Sequence, residues 1–209
     1  MKTRLCLVRH GETDWNVERR LQGHLDIRLN ANGLAQAEAT ANGLSVHTFH
    51  AIYSSDLTRA RQTAGAAALQ LGLPIVEMQL LRERHFGVFQ GLTHAEAAQL
   101  HPAIHATFAA RDLHFTLPDG GESLVGFAAR VSMALRQIVA THVGMTVLVV
   151  THGGVLHMVN RLATGAAINE PRDYPIPNAA LNWLSYQNGH WQIDLWADQR
   201  HLQGALDEI

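Results

Sequence analysis

The chain has 209 residues, 47% of them hydrophobic, and sets 16 Lys and Arg against 18 Asp and Glu for a net charge of −2. That supplies core material for one domain and excludes a general binder of nucleic acid or anionic membranes, so any affinity for anions has to be local. The sole cysteine, Cys6, cannot form an internal disulfide and reads as core filler in a reducing, cytoplasmic setting; the short apolar run broken by Arg9 is no secretory signal, and no long uncharged stretch suggests a membrane span.

Strand-like and helix-like segments alternate along the chain. Residues 3 to 9 read as a strand, followed by a polar loop holding Gly11, Asn16 and Gly23. Asn30 to Gly33 has helix-start chemistry, and Leu34, Ala37, Ala41 and Leu44 give one apolar face over 31 to 45. A short strand at 51 to 54 leads to a helix capped by Ser55 or Asp56 and ended by Gly72 and Pro74. A weaker strand at 74 to 77, an irregular stretch at 82 to 91, and helices at 93 to 100, from Pro102, and at 122 to 141 follow. The strand 146 to 151, the helix 154 to 164 and strands near 180 to 187 and 190 to 196 complete the series, the last two joined at Asn188-Gly189, a strong hairpin signal. The alternation predicts an α/β fold with a mainly parallel central sheet and one antiparallel edge strand from the final hairpin.

Two strand ends echo each other. Arg9-His10-Gly11 follows the first strand, and Thr151-His152-Gly153-Gly154 follows the strand at 146 to 151. Ligands of open α/β sheets bind beyond the carboxyl ends of the strands, so both imidazoles can share one pocket, and two histidines flanked by arginine point to phosphate chemistry.

Five ordered blocks carry a wider likeness. Leu7 to Asn16, Ser54 to Ala64, Glu83 before Phe86-Gly87, Gly121-Glu122-Ser123 and Thr151 to Gly154 together resemble the histidine phosphatase, or phosphoglycerate mutase-like, superfamily over nearly the whole chain, in the branch with the R-H-G motif and a glutamate acid. The resemblance implies a three-layer α/β/α sandwich and a metal-independent phosphatase or mutase working through a phosphohistidine, with no cofactor.

In that reading His10 is the nucleophile, because a neutral imidazole attacks a phosphate ester without charge repulsion. Arg9 and Arg59 disfavour protonation of its ring and match the equatorial phosphate oxygens with their guanidinium forks. The resemblance makes His152 part of the phosphate pocket, gives Asn16 a polar contact and makes Glu83 the general acid, since Gly153 stands where the other branch carries its acid. Gln22 and Gly23 are further substrate contacts, and the backbone N–H groups of Gly11, Gly23 and Gly153 are candidate anion donors.

The ordinary alternatives are plain: Glu83 between Arg82 and Arg84 could be only a surface ion-pair partner, the lesser reading beside the acid role that the resemblance implies, and Arg61 reads as a surface cation. His101 and His105 are spaced four apart, but Pro102 intervenes and no zinc pattern surrounds them, so no metal is expected. Trp183, Trp191 and Trp196 read as sheet-face packing.

The segment from Glu83 to Leu92 is similar to that of cofactor-dependent phosphoglycerate mutases, yet Phe86 and His94 replace their tyrosine and lysine, and their paired arginine and longer insertion are absent. The expectation is therefore one domain over 1–209 with a helical substrate cap at about 84–120, hydrolysing small phosphorylated metabolites. A mutase is the alternative, and a non-catalytic binding relative a third, disfavoured by the retention of His10, Arg9, Arg59, Glu83 and His152. Selectivity is expected from Arg84, Arg111 and His114 as polar readers and Phe86, Phe108 and Phe115 as an apolar wall. No nucleic-acid or membrane partner is expected, and a homodimer is left open.

Overall fold

The computed structural model describes residues 1–202. Its strands are Thr3–Arg9 (β1), Ala51–Ser54 (β2), Ile75–Glu77 (β3), Thr146–Thr151 (β4), Leu181–Gln187 (β5) and His190–Asp198 (β6), in one sheet of order β3-β2-β4-β1-β5-β6. Its α-helices are Asp14–Val17 (α1), Ala31–Leu44 (α2), Thr58–Leu71 (α3), His94–Leu100 (α4), Pro102–Ala109 (α5), Leu124–Thr141 (α6) and Gly153–Thr164 (α7). β1 to β4 run parallel, and β5 is antiparallel to both β1 and β6. The hairpin thus supplies the antiparallel strand one place in from the margin, with β6 forming the edge itself.

Residues alternate between faces along a strand. Leu5, Leu7, Val147 and Val149 therefore join Phe127, Val131, Leu135 and Val159 of α6 and α7 in one core layer. Cys6, Val8, Leu148 and Val150 join Ala41, Leu44, Ala60 and Ala64 of α2 and α3 in the other. Strands buried on both faces need continuous apolar runs, which is why 5 to 8 and 147 to 150 lack polar residues. Burial pushes the Cys6 thiol far up, so it serves as packing. α6 is long and apolar enough to cross a membrane by length and composition, but its Phe127, Val131, Leu135 and Ile138 are spent in the core.

Local signals explain the boundaries. The Asn30 side chain accepts from the Gly33 N–H at 2.8 Å to start α2. Asn188 and Gly189 adopt φ of 53° and 85°, the two positive values that a tight two-residue hairpin turn requires. One cap differs from expectation. Neither Ser55 nor Asp56 caps α3; Asp26, from the loop before α2, accepts from both the backbone N–H and the hydroxyl of Thr58 at 2.7 Å. A carboxylate remote in sequence thus meets the positive end of that helix. α4 and α5 pack apart from the sandwich cores around Phe89, Ala97 and Leu117. Trp183 is buried in the α2/α3 layer, and Trp191 and Trp196 pack against the α6/α7 layer.

Candidate active site

The pairing of β1 with β4 sets Arg9 opposite Thr151, so the next residue on each strand is a histidine at the same sheet end. The His10 N–H donates to the Thr151 carbonyl at 2.9 Å, and the two imidazole centroids lie 5.2 Å apart. Both rings are buried.

The His10 tautomer follows from its neighbour. Nδ1 lies 2.7 Å from the Gly11 carbonyl, which can only accept, so Nδ1 carries the proton and Nε2 the lone pair. Burial, then Arg59, then Arg9 hold the ring well below the usual histidine range, so it is neutral at physiological pH.

Arg59 is fully buried on the first turn of α3. Its terminal nitrogens donate to the Leu25 carbonyl at 2.9 Å and the Gly23 carbonyl at 2.7 Å, and Nε to His152 Nδ1 at 3.3 Å. One N–H on each terminal nitrogen is left for a ligand. Because Nδ1 of His152 accepts, its Nε2 bears the proton and donates to Ser55 Oγ at 2.8 Å. Ser55, read from the sequence as a helix cap, is instead the residue that orients the second histidine. Asp56 likewise turns to Arg82, which holds its carboxyl below the usual range. Arg9 is tied through one terminal nitrogen to the Ile176 carbonyl at 2.7 Å, while its buried Nε has no partner among the described residues. Burial lowers Arg9 and Arg59 only to about 10, so both remain cations. A buried guanidinium donor beside a second buried cation has the charge and the hydrogen-bonding capacity to receive an anion.

Glu83 is not the surface ion-pair partner of its neighbours. Arg82 goes to Asp56, and Arg84 forks through Nε and a terminal nitrogen onto the Glu122 carbonyl at 2.9 and 2.7 Å. The Glu83 carboxylate instead accepts the backbone N–H of Arg84 at 2.8 Å and of Gly154, in the first turn of α7, at 2.9 Å. Its loop is held from α6. Arg130 donates to the carbonyls of Leu80, Arg82 and Glu83 and pairs with Glu122, whose carboxylate also accepts the His85 N–H. The Gly121-Glu122-Ser123 block is therefore the clamp of the acid loop, and Ser123 caps α6.

The polar loop converges on Thr13. Its backbone N–H and hydroxyl donate to Asn16 Oδ1, and its hydroxyl accepts from Gln22 Nε2 at 2.8 Å, leaving Gln22 Oε1 buried without a partner among the described residues. Asn178, unmarked in the sequence, links this loop to the nucleophile by donating to the His10 carbonyl at 2.9 Å and to Asn16 Oδ1 at 3.3 Å. The expected donor role of Gly11 does not hold: its N–H is spent on Thr63 Oγ1 at 3.0 Å, and it is glycine because a Cβ would lie 2.4 Å from the Gly33 carbonyl oxygen. Gly23 has φ of 53° and sits against Gln90. Gly153 packs against the Arg9 guanidinium.

A cavity of about 610 Å³ opens from Gly153 and Gly154 toward α4 and α5. Arg84, Arg111, Phe86, Phe108 and Phe115 line it; His114 does not, and His157 and Arg172, which no motif marked, do. His101 and His105 flank the Phe89 ring at 6.1 Å each.

Residues 5–199 match the family model of the histidine phosphatase superfamily, branch 1. The chain belongs to that superfamily. This histidine phosphatase is 39% identical to phosphoglycerate mutase-like protein 4 of Arabidopsis thaliana, over 95% of the chain and 86% of the relative. It is 40% identical to the metal-independent phosphoserine phosphatase of the same plant, over 97% of the chain and 84% of the relative. The native structure of a mycobacterial glucosyl-3-phosphoglycerate phosphatase superposes with a TM-score of 0.83 at 34% identity, covering 95% of this chain and all of that one. Membership and relatives together make the protein a phosphoric monoester hydrolase.

Proposed function

We propose that the protein hydrolyses small phosphorylated metabolites without a metal, through a phosphohistidine on His10. The observation that carries this reading is the His10 ring, whose Nδ1–H is committed to Gly11 while Nε2 stays unprotonated between two buried arginines. In the first step Nε2 attacks phosphorus in line and the ester P–O bond breaks, with Glu83 passing its proton to the leaving oxygen. In the second, Glu83 takes a proton from water as the water oxygen attacks phosphorus, the N–P bond breaks and inorganic phosphate leaves. Arg9 and Arg59 offer their free N–H groups to the equatorial oxygens, and His152 holds the Arg59 guanidinium in place. Asn16, Gln22, Gly23 and the Gly153 N–H complete the proposed cradle.

The hydrolase is preferred to the mutase because Phe86 and His94 both line the cavity wall, where a mutase places a hydroxyl and an ammonium to retain its intermediate. A phosphoenzyme without those anchors is open to water. A cytoplasmic setting accords with the buried thiol of Cys6.

The test is a panel of phosphate monoesters assayed with chelator present, alongside interconversion of 2- and 3-phosphoglycerate. Hydrolysis, label trapped on His10 by acid quench and its loss in His10→Ala are expected. Turnover by His10→Ala, dependence on an added divalent ion, or a dominant mutase rate would overturn the reading.

A further inference from the structure

The tripeptide Gly23-His24-Leu25 grips both halves of the site. The carbonyls of Gly23 and Leu25 accept from the terminal nitrogens of Arg59 at 2.7 and 2.9 Å, while the ring between them turns to the acid loop, where His24 Nε2 lies 2.8 Å from the Glu83 carbonyl. A carbonyl only accepts, so Nε2 carries the proton. Arg130 donates to the same oxygen at 3.1 Å, which fills both of its lone pairs. The two donors differ in what they anchor to. Arg130 ties the acid loop to α6, whereas His24 ties it to the loop that directs Arg59.

His24 is fixed on its other sides. Its backbone N–H donates to Gln90 Oε1 at 2.7 Å, and Gly23 before it, at φ of 53°, has no room for a side chain because a Cβ would meet that same oxygen. The ring stands edge-on to His85, with centroids 4.7 Å apart at 75°. His85 is itself pinned: its N–H donates to the Glu122 carboxylate at 2.9 Å, and its Nδ1 accepts the Gly87 N–H at 3.0 Å. Burial lowers His24 from the usual histidine range, with His85 and Arg130 acting the same way, and Nε2 keeps its proton in either charge state. The ring also lies near enough to His152 for its charge to act there.

We propose that His24 is a positioning residue that sets the Glu83 acid against the Arg59 cation, so that the carboxylate meets the leaving oxygen of an ester whose phosphate Arg59 holds. A bond to the peptide of the acid fixes where its side chain starts, and a displacement of about 1 Å at a reacting group can cost about 10²-fold in rate. The inference rests on the reading of Glu83 as the acid.

His24→Phe keeps a ring against His85 and removes the donor, whereas His24→Gln places an amide N–H where Nε2 stood. In His24→Phe, kcat on an alkyl phosphate should fall by about 10- to 100-fold and on an aryl phosphate by clearly less, because a phenolate leaves with little protonation, and KM should move less than kcat. His24→Gln should recover most of the alkyl rate. His24→Asn, whose amide falls short of Glu83, should repeat the selective loss and replaces the Phe variant if melting shows that it does not fold. In Glu83→Gln, adding His24→Phe should bring little further loss, since the two residues act as one unit. Equal losses on both esters in the donor-lacking variants, no recovery in His24→Gln, or losses that multiply in the double variant would overturn the proposal and leave Glu83 as the acid. Equal losses on both esters in Glu83→Gln would sink the acid reading and the proposal with it.

Discussion

Glu83 occupies the place where Gly154 would carry a side chain: a Cβ on Gly154 would lie 2.1 Å from Glu83 Oε1 and 3.0 Å from its Cδ. The proposed acid is thus seated against the first turn of α7 by the absence of a methyl group. Gly154→Ala should fold, since the atoms it displaces end a flexible side chain, but should lose about 10- to 100-fold in kcat on an alkyl phosphate and less on an aryl phosphate, whose leaving group needs little protonation. Melting temperature and leaving-group dependence check this; equal losses on both esters would contradict it.

The acid itself should show the same signature more strongly. Glu83→Gln keeps the shape of the side chain and removes the proton donor, so rates on poor leaving groups should fall by about 10²-fold or more while aryl phosphate hydrolysis suffers less. A Brønsted plot over leaving-group basicity, steeper in the variant than in the wild type, is the measurement.

Ser55 is buried and takes the Nε2–H of His152. Ser55→Ala leaves that donor unpaired, at a cost of about 1–3 kcal/mol in stability, and frees the ring that accepts from Arg59. Denaturant unfolding should register the loss. kcat should drop as the Arg59 guanidinium loses its fixed direction.

Arg130→Lys retains a charge for Glu122 but cannot fork onto three carbonyls of the acid loop. A stability loss of about 1–3 kcal/mol is expected, with kcat lowered more than KM is raised, because the loop seats Glu83. Steady-state kinetics on an alkyl ester would show the split.

Protonation should destabilise the fold below neutrality. His10 and His152 sit well below 6.5 in the folded chain and His157 at about 4, so as pH falls through 6.5 the unfolded chain takes up protons that the folded one refuses. Stability contributed by these rings is complete above pH 6.5 and declines toward the folded values. His157→Asn should flatten the fall in unfolding free energy between about pH 6.5 and 4, measured by urea titration at several pH values. An unchanged slope would remove His157 from the balance.

Much of the layout is legible in the chain. Apolar runs at 5 to 8 and 147 to 150 mark doubly buried strands, and Asn30, Gly72 and Asn188-Gly189 punctuate elements by local backbone chemistry, which a few neighbouring residues suffice to express. Arg9, His10 and His152 were visible because their strand ends repeat. Ser55 has the composition of a cap because it is a serine just before a helix, yet packing gives the Thr58 N–H to Asp26 and turns Ser55 to His152.

What the sequence alone determined is the order of elements and the residue types that can attack, protonate and bind a phosphate. Folding alone sets how those groups are committed: the Nδ1–H of His10 to Gly11, the N–H of Gly11 to Thr63, the carboxylate of Glu83 to Gly154, and the guanidinium of Arg111 to His157. Except for the His10–Gly11 bond, these partners are 46 to 71 residues apart in the chain. No local propensity encodes such pairings, because each exists only after the parallel sheet has brought separate strand ends and helix starts to one side of the molecule.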